Sequence, residues 1–351
     1  MQLALGEQVS AASNAVQRAF FDVYGYRFEL RSSCRPAFDG LCQDFAFFRS
    51  DARGGERLIE LRYEDPQYDS LPAWDATIHT PRNIVYKSGG ESFIDYQGRG
   101  VARHDRASGG FRVEGLDEDI LYEAAYLFLL SQCGEFLDAQ GKHRVHALGV
   151  TIEGKAVLVL LPMGGGKSTL AYDLLKHSEV KLLSDDSPLV DRAGNLHAYP
   201  LRIGLLPGSE GEVPENQRRV INRMGFGPKI SVSYEYFAER VVPGAAPGIV
   251  FLGSRSLSKD CRLERVGLAK GLRTLFSDCV VGLGLFQGVE FVLNRRLPEL
   301  LPLIGVAGSR LWSSWRLLRR SRVYRVRLGR DRKLNAETLV NECRRLIGAE
   351  R

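Results

Sequence analysis

The feature that most constrains the fold of this chain is a run of apolar residues, 156–161, that leads into three consecutive glycines. An apolar run without alternation is typical of a buried strand, and glycines allow the positive-φ backbone of a tight loop. The segment after the apolar run contains Gly164, Gly165, Gly166, Lys167, Ser168 and Thr169. The pattern predicts a strand, a loop that holds phosphate and the first turn of a helix.

Each side chain after the glycines has a chemical reason to be there. Lys167 would reach the terminal phosphates of a nucleotide, and the Ser168 hydroxyl would bind Mg²⁺. The full pattern G-x-x-x-x-G-K-[ST] places glycine at position 161, where this chain has Leu161, and Pro162 lacks an N–H donor. The alternative interpretation is a glycine-rich turn between strand and helix, followed by a solvated lysine.

Two adjacent carboxylates follow the next predicted strand. Asp185 and Asp186 come directly after 180–184, and phosphoryl transfer needs a carboxylate near Mg²⁺ and a base for the attacking hydroxyl. The alternative is an aspartate pair that caps the turn before Ser187. His146 precedes the loop's own strand and is a weaker candidate, because single strand histidines are usually structural.

Composition and charge indicate a globular chain. It has 351 residues, of which 44% are apolar and 26% are charged, with a net charge of +6. Arginines cluster between 310 and 333, and within that range Trp312, Trp315 and Leu318 have helical spacing. The cluster is interpreted either as an amphipathic surface helix or as a docking face for an acidic substrate segment or a neighbouring subunit. No nucleic-acid-reading motif accompanies it, so nucleic acid is not an expected partner.

The cysteines and the N-terminus bear on the compartment. The six cysteines lie far apart without a C-x-x-C pair, which indicates neither a disulfide framework nor a zinc site and favours a reducing cytoplasm. The N-terminus has no pattern of a signal peptide, and no apolar segment has the length of a membrane span. We therefore expect a cytoplasmic protein with no membrane partner.

Hydrophobic periodicity divides the chain into three parts. Apart from helical spacing over about 8–22, residues 1–116 show alternating strands and glycine turns and predict a β-rich module. Residues 117–142 predict a buried connecting helix, and 143–351 alternate strand and helix signals around the glycine loop. The expected fold class is α/β, or α+β overall, with these three segments as its domains.

Five short motifs follow one another between residues 143 and 205: His146-Ala-Leu-Gly-Val, Glu153-Gly154, the glycine loop, Leu182-Leu-Ser-Asp-Asp and Tyr199-Pro200. Their order and spacing give a resemblance to the core of the bacterial HPr kinase/phosphorylase family, nearest to its divergent HPr-kinase-like branch. It implies a P-loop domain with a mixed sheet flanked by helices. It also implies that Lys167 and Ser168 hold phosphate and metal, and that His146 lies beside the two aspartates.

In that family one aspartate is proposed as the base and the other as a magnesium neighbour, so the resemblance implies roles for Asp185 and Asp186, with Ser168 and Asp186 as metal ligands. The expected cofactors are ATP and Mg²⁺. The expected activity is transfer of the γ-phosphate to a serine, or another hydroxyl, of a peptide or protein other than HPr. Lys229 and Arg202 are expected either to add charge near the phosphates or to be ordinary solvated residues.

Two other functions stay open. A nucleotide-binding regulatory protein would keep the loop but not transfer phosphate, and Leu161 is the residue that motivates this alternative. An ABC-type or motor ATPase would need a downstream signature of the Leu-Ser-Gly-Gly-Gln kind, which this sequence does not contain. The acceptor and the oligomeric state, including a homo-oligomer, are not determined by the sequence.

Overall fold

A computed structural model describes residues 16–52, 54–223, 226–275 and 300–349. Within them the chain is mixed α/β, with four sheets and six α-helices. It forms two compact units: in the described ranges, the first lies within 16–133 and 221–228, and the second within 134–220, 229–275 and 300–349. None of the described helices has the length and apolar character needed to cross a membrane.

The first unit is built on an eight-stranded sheet. Its strands are β1 (Gln17–Val23), β2 (Tyr26–Ser32), β3 (Arg57–Arg62), β4 (Ala76–His79), β5 (Ile84–Ser88), β6 (Glu91–Asp95), β7 (Val101–Asp105) and β8 (Gly110–Glu114). They lie in the order β1-β2-β3-β8-β7-β6-β5-β4, and only β3 pairs in parallel, with β2 and β8. Helix α1 (Arg35–Asp44) and 3₁₀ turns at Ala46–Phe48 and Tyr68–Ser70 complete the connections.

The helix expected over 8–22 is wrong from residue 17 onward, and its earlier part lies outside the described residues. Residues Gln17–Val23 form β1, in which Ala19, Phe21 and Val23 are buried at a period of two. Phe21 stacks on Phe28 of β2 with ring centroids 4.9 Å apart. Spacing of three or four residues fits a helix, but burial on one side of a hairpin decides the outcome here.

Helix α2 (Glu118–Ala139) occupies most of the segment predicted as a connecting helix. Asp117 begins it, because its Oδ1 accepts a hydrogen bond from the Ile120 N–H at 3.1 Å. The division between the two units falls after Cys133, inside this helix. The three predicted domain ranges stay predictions.

The second unit contains the glycine loop. Its strands are β9 (His143–Arg144), β10 (Leu148–Ile152), β11 (Lys155–Leu160), β12 (Lys181–Ser184), β13 (Leu189–Val190), β14 (Leu196–His197), β15 (Ile203–Leu205), β16 (Arg218–Arg223), β17 (Phe226–Val232), β18 (Gly244–Ala245), β19 (Pro247–Arg255), β20 (Arg262–Arg265) and β21 (Arg322–Leu328). β16 and β17 each begin in one unit and end in the other.

Its helices are α3 (Lys167–Leu174), α4 (Leu268–Leu275), α5 (Leu300–Arg319) and α6 (Arg332–Gly348), with 3₁₀ turns at Glu215–Gln217, Tyr234–Tyr236 and Ala238–Arg240.

A six-stranded mixed sheet, in the order β12-β10-β11-β19-β21-β20, forms the centre of this unit. β19 pairs in parallel with β11 and β21, and the outer pairings are antiparallel. Both faces are apolar. Val157, Val159 and Leu161 join one core cluster with α3 and α6, whereas Leu158 and Leu160 join the other with α4 and α5. Because successive strand residues point to opposite faces, the uninterrupted apolar run fits a strand covered on both sides.

Two smaller sheets flank this core. β18-β14-β13-β9 forms one, and β15-β17-β16 forms the other. The turn between β13 and β14 is the hairpin around Gly194, whose φ is +85°. A Cβ at Gly194 would lie 2.7 Å from the Leu317 backbone nitrogen of α5, so this glycine allows the hairpin and the helix to approach closely.

Candidate functional site

The glycine loop connects the carboxyl end of β11 to the amino end of α3. Gly164 and Gly166 have φ values of +72° and +89°, in the left-handed region that glycine adopts without strain. The Gly165 N–H donates to the Pro162 carbonyl at 2.9 Å, and a Cβ at Gly165 would lie only 2.8 Å from that oxygen. Each glycine therefore has a conformational or steric reason, and the loop ends where the N–H groups of a helix begin.

The side chains of Leu161, which replaces the glycine of the pattern, and of Met163 in the same loop both lie outside the space that the loop encloses. The Leu161 side chain is 2% exposed and belongs to the core cluster shared with α3 and α6. It fits there because Gly253 of the adjacent strand β19 has no side chain: a Cβ at Gly253 would lie 2.6 Å from Leu161 Cδ2. The Met163 side chain is 84% exposed and points to solvent.

Lys167 is buried at the base of the loop. Its side chain is 5% exposed, and its Nζ donates to the Leu161 carbonyl at 2.8 Å and lies 2.8 Å from His146 Nε2. Asp186 Oδ1 is 3.6 Å from the same ammonium group and 3.3 Å from His146 Nδ1. The predicted lysine, histidine and second aspartate thus meet in one cluster, in contact with the loop backbone.

Ser168 meets the other aspartate. The Ser168 hydroxyl donates to Asp185 Oδ2 at 2.8 Å. Both aspartates follow β12, which pairs with β10 at the edge of the central sheet. Thr169, the next residue of the first turn of α3, is half-buried. Every residue predicted from the sequence for this site therefore lies on the loop, on α3 or in the segments next to β10 and β12.

The two aspartates differ in exposure and in protonation. Asp185 is 7% exposed, and burial together with the adjacent Asp186 charge raises its pKa to about 7. The Asp186 side chain is 41% exposed. Burial opposes its ionisation too, but His146 and the Lys167 ammonium outweigh that effect and lower the pKa of Asp186. Asp186 is thus held ionised beside the Lys167 ammonium group, whereas Asp185 accepts a hydrogen bond from the Ser168 hydroxyl.

Lys229 and Arg202 act on this pair. Their positive charges favour the ionised form of Asp185, against the effect of burial on its pKa. Lys229 lies on β17 next to β15, and a Cβ at Gly204 would contact Lys229 Cδ at 3.2 Å. The positive charge of both residues therefore acts on the pKa of Asp185, and contact of either residue with a phosphate stays a prediction.

Arg255 belongs to this cluster and was not predicted. It is the last residue of β19, the parallel neighbour of β11, and its Nε donates to the Gly165 carbonyl at 3.0 Å. Ligands of α/β sheets bind at the carboxyl ends of parallel strands. That rule would have identified Arg255, but only if the sequence had shown that β19 pairs with β11.

The oxygen donors of the site fit a magnesium ion that also binds phosphate. A serine hydroxyl and a carboxylate 2.8 Å apart are the ligand types that Mg²⁺ uses. Within the described ranges there is no group of three or more His, Cys, Asp or Glu side chains suited to a metal. At nucleotide sites Mg²⁺ usually takes phosphate oxygens and water as its further ligands.

The arginine cluster of 310–333 does not form a single face. Four of its members bond to different parts of the second unit: Arg310 to Asp138, Arg320 to the Ala193 carbonyl, Arg322 to the Leu346 carbonyl and Arg332 to Asp173. Trp312 is half exposed, whereas Leu318 is buried. The helical spacing of these two residues thus does not define a single exposed stripe, and much of the local charge serves packing within the unit.

No protein-family model matches this chain, and no curated protein matches it. Among solved structures it is similar to the HPr(Ser) kinase/phosphatase from Coxiella burnetii, with 19% identity over 35% of this chain and 77% of that chain and a TM-score of 0.22. A likeness at that TM-score supports no inference, so the function has to be argued from the side chains of the site.

Proposed function

We propose that this chain is an ATP- and Mg²⁺-dependent kinase of the HPr-kinase-like kind, which transfers the γ-phosphate to a serine, or another hydroxyl, of a peptide or protein. The observation that carries the proposal is the convergence of Lys167 and Ser168 with Asp185 and Asp186 at the end of the glycine loop. A phosphate loop, a metal-ligand pair and a second carboxylate are the parts that phosphoryl transfer requires.

The roles divide according to the contacts. The backbone of Gly164–Gly166, with Lys167, would hold the phosphates. The 2.8 Å bond between Ser168 and Asp185 supports Asp185, in place of the Asp186 inferred from the sequence, as the residue that joins Ser168 in holding Mg²⁺. Bound there, Mg²⁺ would neutralise charge on the phosphates.

Asp186 is then the candidate base. Its partner His146, 3.3 Å away, and Lys167 keep it ionised and orient it. The acceptor oxygen attacks the γ-phosphorus, the bond to the β–γ bridging oxygen breaks, and ADP leaves. The hydroxyl proton passes to the Asp186 carboxylate. The proposed acceptor is a serine-containing peptide or protein other than HPr. The proposal holds equally for a monomer and for a homo-oligomer.

The test is transfer from radiolabelled ATP to a serine peptide library, with an alanine-substituted library as blank. We expect Lys167→Ala and Asp186→Asn to lower the rate about 100-fold or more, because each removes a group that acts on the reacting phosphate or hydroxyl. Glu215→Gln is the matched control, since this carboxylate is 91% exposed and distant in sequence from the loop. Labelled product of equal yield from all three variants would reject the proposal.

One observation favours a regulatory protein that binds nucleotide without transferring phosphate. Lys167 Nζ is held by the Leu161 carbonyl and His146, and both interactions compete with a phosphate for the same ammonium group. This alternative predicts that ATP binds and is recovered intact, with no labelled acceptor. Equilibrium dialysis followed by chromatography of the bound nucleotide distinguishes the two functions, because the kinase releases ADP when an acceptor is present.

A further inference from the structure

Arg255 lies beyond the part of β19 that pairs with β11, and its side chain reaches the glycine loop. The last pair between β11 and β19 joins Leu160 to Leu252, and β19 then continues for three residues, paired only with β21. Arg255 follows Gly253 by two residues and so lies on the same face of the sheet. That is the face on which Leu161 packs beneath Gly253 and on which α3 begins.

Two contacts hold the guanidinium group on the loop. Nε donates to the Gly165 carbonyl at 3.0 Å, and Nη2 occupies the space next to the Gly166 Cα that any side chain at position 166 would need. The left-handed glycine that ends the loop is therefore also the residue that admits the arginine. Because guanidinium has five N–H donors in a rigid fork, the bond through Nε leaves the donors on Nη1 and Nη2 for other acceptors.

The charge of Arg255 is not neutralised by the part of the chain that the structure describes. Within the described residues its only polar contact is with the Gly165 carbonyl, and the side chain is exposed. On the next strand, Arg325 pairs with Glu264 at 3.2 Å. Because no carboxylate of the described residues pairs with it, the Arg255 guanidinium group at the loop is available to bind an anionic ligand.

We infer that Arg255 binds the terminal phosphates of the nucleotide, and that it makes the site select nucleoside di- and triphosphates over monophosphates. The inference rests on the proposed nucleotide site and adds a residue to it from a different strand. Lys167 contacts the loop backbone as a buried side chain, whereas Arg255 contacts it as an exposed one. Charge-assisted hydrogen bonds from Arg to phosphate are strong and can be bidentate.

The test compares the binding of MgATP, MgADP and AMP to the full chain by calorimetry. We expect Arg255→Gln to weaken MgATP and MgADP about 10- to 100-fold and to change AMP by less than about 3-fold. Arg255→Lys keeps the charge and should recover most of the lost affinity. Arg262→Gln is the matched control, because it removes one exposed arginine from the edge strand β20, which pairs with β21 and not with β19, and should change none of the three affinities.

Each other outcome has a defined meaning. If the wild-type chain binds neither MgATP nor MgADP, the proposed nucleotide site itself is wrong. If the wild type binds them and Arg255→Gln binds them equally well, the inference about Arg255 is overturned while the site stands. If Gln and Lys weaken all three nucleotides to the same extent, Arg255 only supports the loop backbone through Gly165, which also overturns the inference. Thermal melts confirm that the variants are folded.

Discussion

Leu161 shows that one residue of a loop can serve two environments at once. Its side chain is buried in the core cluster under the sheet, whereas its carbonyl accepts a hydrogen bond from Lys167. The loop pattern asks for glycine at this position, but the steric room comes from Gly253 on the neighbouring strand. The leucine that replaces glycine at position 161 therefore fills space left by the glycine at position 253, and the loop can still form.

The first prediction concerns the stability contributed by this side chain. Leu161→Ala should lower the free energy of unfolding by about 2–5 kcal/mol, because it leaves a cavity in a packed core. Met163→Ala, in the same loop, should change it by less than about 0.5 kcal/mol, since that side chain is 84% exposed. Urea denaturation measures both values. Equal effects would show that the Leu161 side chain is not part of the core.

At the level of single residues, the sequence was sufficient to name candidate residues that belong to one contiguous pattern. The glycines, Lys167 and Ser168 are adjacent in sequence, and the aspartate pair follows a recognisable strand, so they could be named in advance. Arg255 lies far along the chain from Gly165, in a segment with no motif of its own. Its place depends on which strand pairs with β11 and in what register, and periodicity carries no information on that.

The hairpin between β13 and β14 and helix α5 approach each other closely through their backbones. The hairpin between β13 and β14 lies against α5, and Arg320 donates to the Ala193 carbonyl at 2.7 Å and to Asn195 Oδ1 at 2.9 Å. Gly194 lies between these two acceptors, with no room for a side chain in front of the helix backbone. The turn residues of this hairpin are contiguous in the sequence, whereas its contact with α5 joins segments far apart along the chain.

The second prediction uses two glycines with similar backbone conformation. Gly154 has a φ of +72° with no atom within 4 Å of a Cβ built there, whereas Gly194 has a φ of +85° and faces α5. Gly154→Ala should cost about 1–2 kcal/mol, the cost of left-handed backbone alone. Gly194→Ala should cost about 1–3 kcal/mol more, because it adds overpacking. Chemical denaturation of both variants measures the difference, and equal losses would contradict the proposed packing of α5.

Element types were easier to predict than element boundaries or partners. The buried strand before the loop and the buried α2 follow from long apolar patterns, and the helix after the loop follows from the glycine-Lys-Ser pattern. The first strand was misassigned because Val16 and Phe20 fit a helical period as well as Ala19, Phe21 and Val23 fit a strand period. A local pattern cannot decide between them, since the decision depends on whether β2 is present to pair with β1.

For the molecule as a whole, the end of α2 matters more than the predicted domain limits suggest. Asp138, on the last turn of α2, lies 2.8 Å from His143 Nδ1 and forms an ion pair with Arg310 of α5. All three belong to the second unit. A domain that began at residue 143, as predicted from the sequence, would lack the Asp138 carboxylate that these two side chains contact. A fragment that begins before Asp138 would retain both contacts.

The third prediction is the pH dependence of the stability of the whole chain. Burial opposes ionisation of Asp138, but His143 and Arg310 outweigh it and lower the pKa of this carboxyl. A lowered folded-state pKa contributes stability above the unfolded value of about 3.9, and this contribution is lost as the pH falls through the folded-state pKa. Asp138→Asn should therefore cost about 3 kcal/mol at pH 7, and the two proteins should converge at acidic pH.

The measurement is a series of urea titrations from about pH 7 to about pH 2, which extends below the ordinary aspartate pKa, on the wild-type chain and on Asp138→Asn. Glu215→Gln is the control for loss of an exposed carboxylate and should follow the wild type throughout. A difference between wild type and Asp138→Asn that grows as the pH falls would have the wrong sign for a carboxylate stabilised in its ionised form. It would show that Asp138 is not the ionised partner of Arg310.

The three residues by which β19 extends past its last pair with β11 make the site sensitive to insertions and deletions in a way that substitutions do not reveal. A strand rises about 3.3 Å per residue and alternates its faces, so deletion of a single residue between 253 and 255 would turn the arginine to the opposite face of the sheet. Composition and net charge would hardly change. The number of residues between Gly253 and Arg255 therefore sets the position of the arginine. Related chains with the same arrangement should keep this number constant, whereas the loop that follows can vary in length.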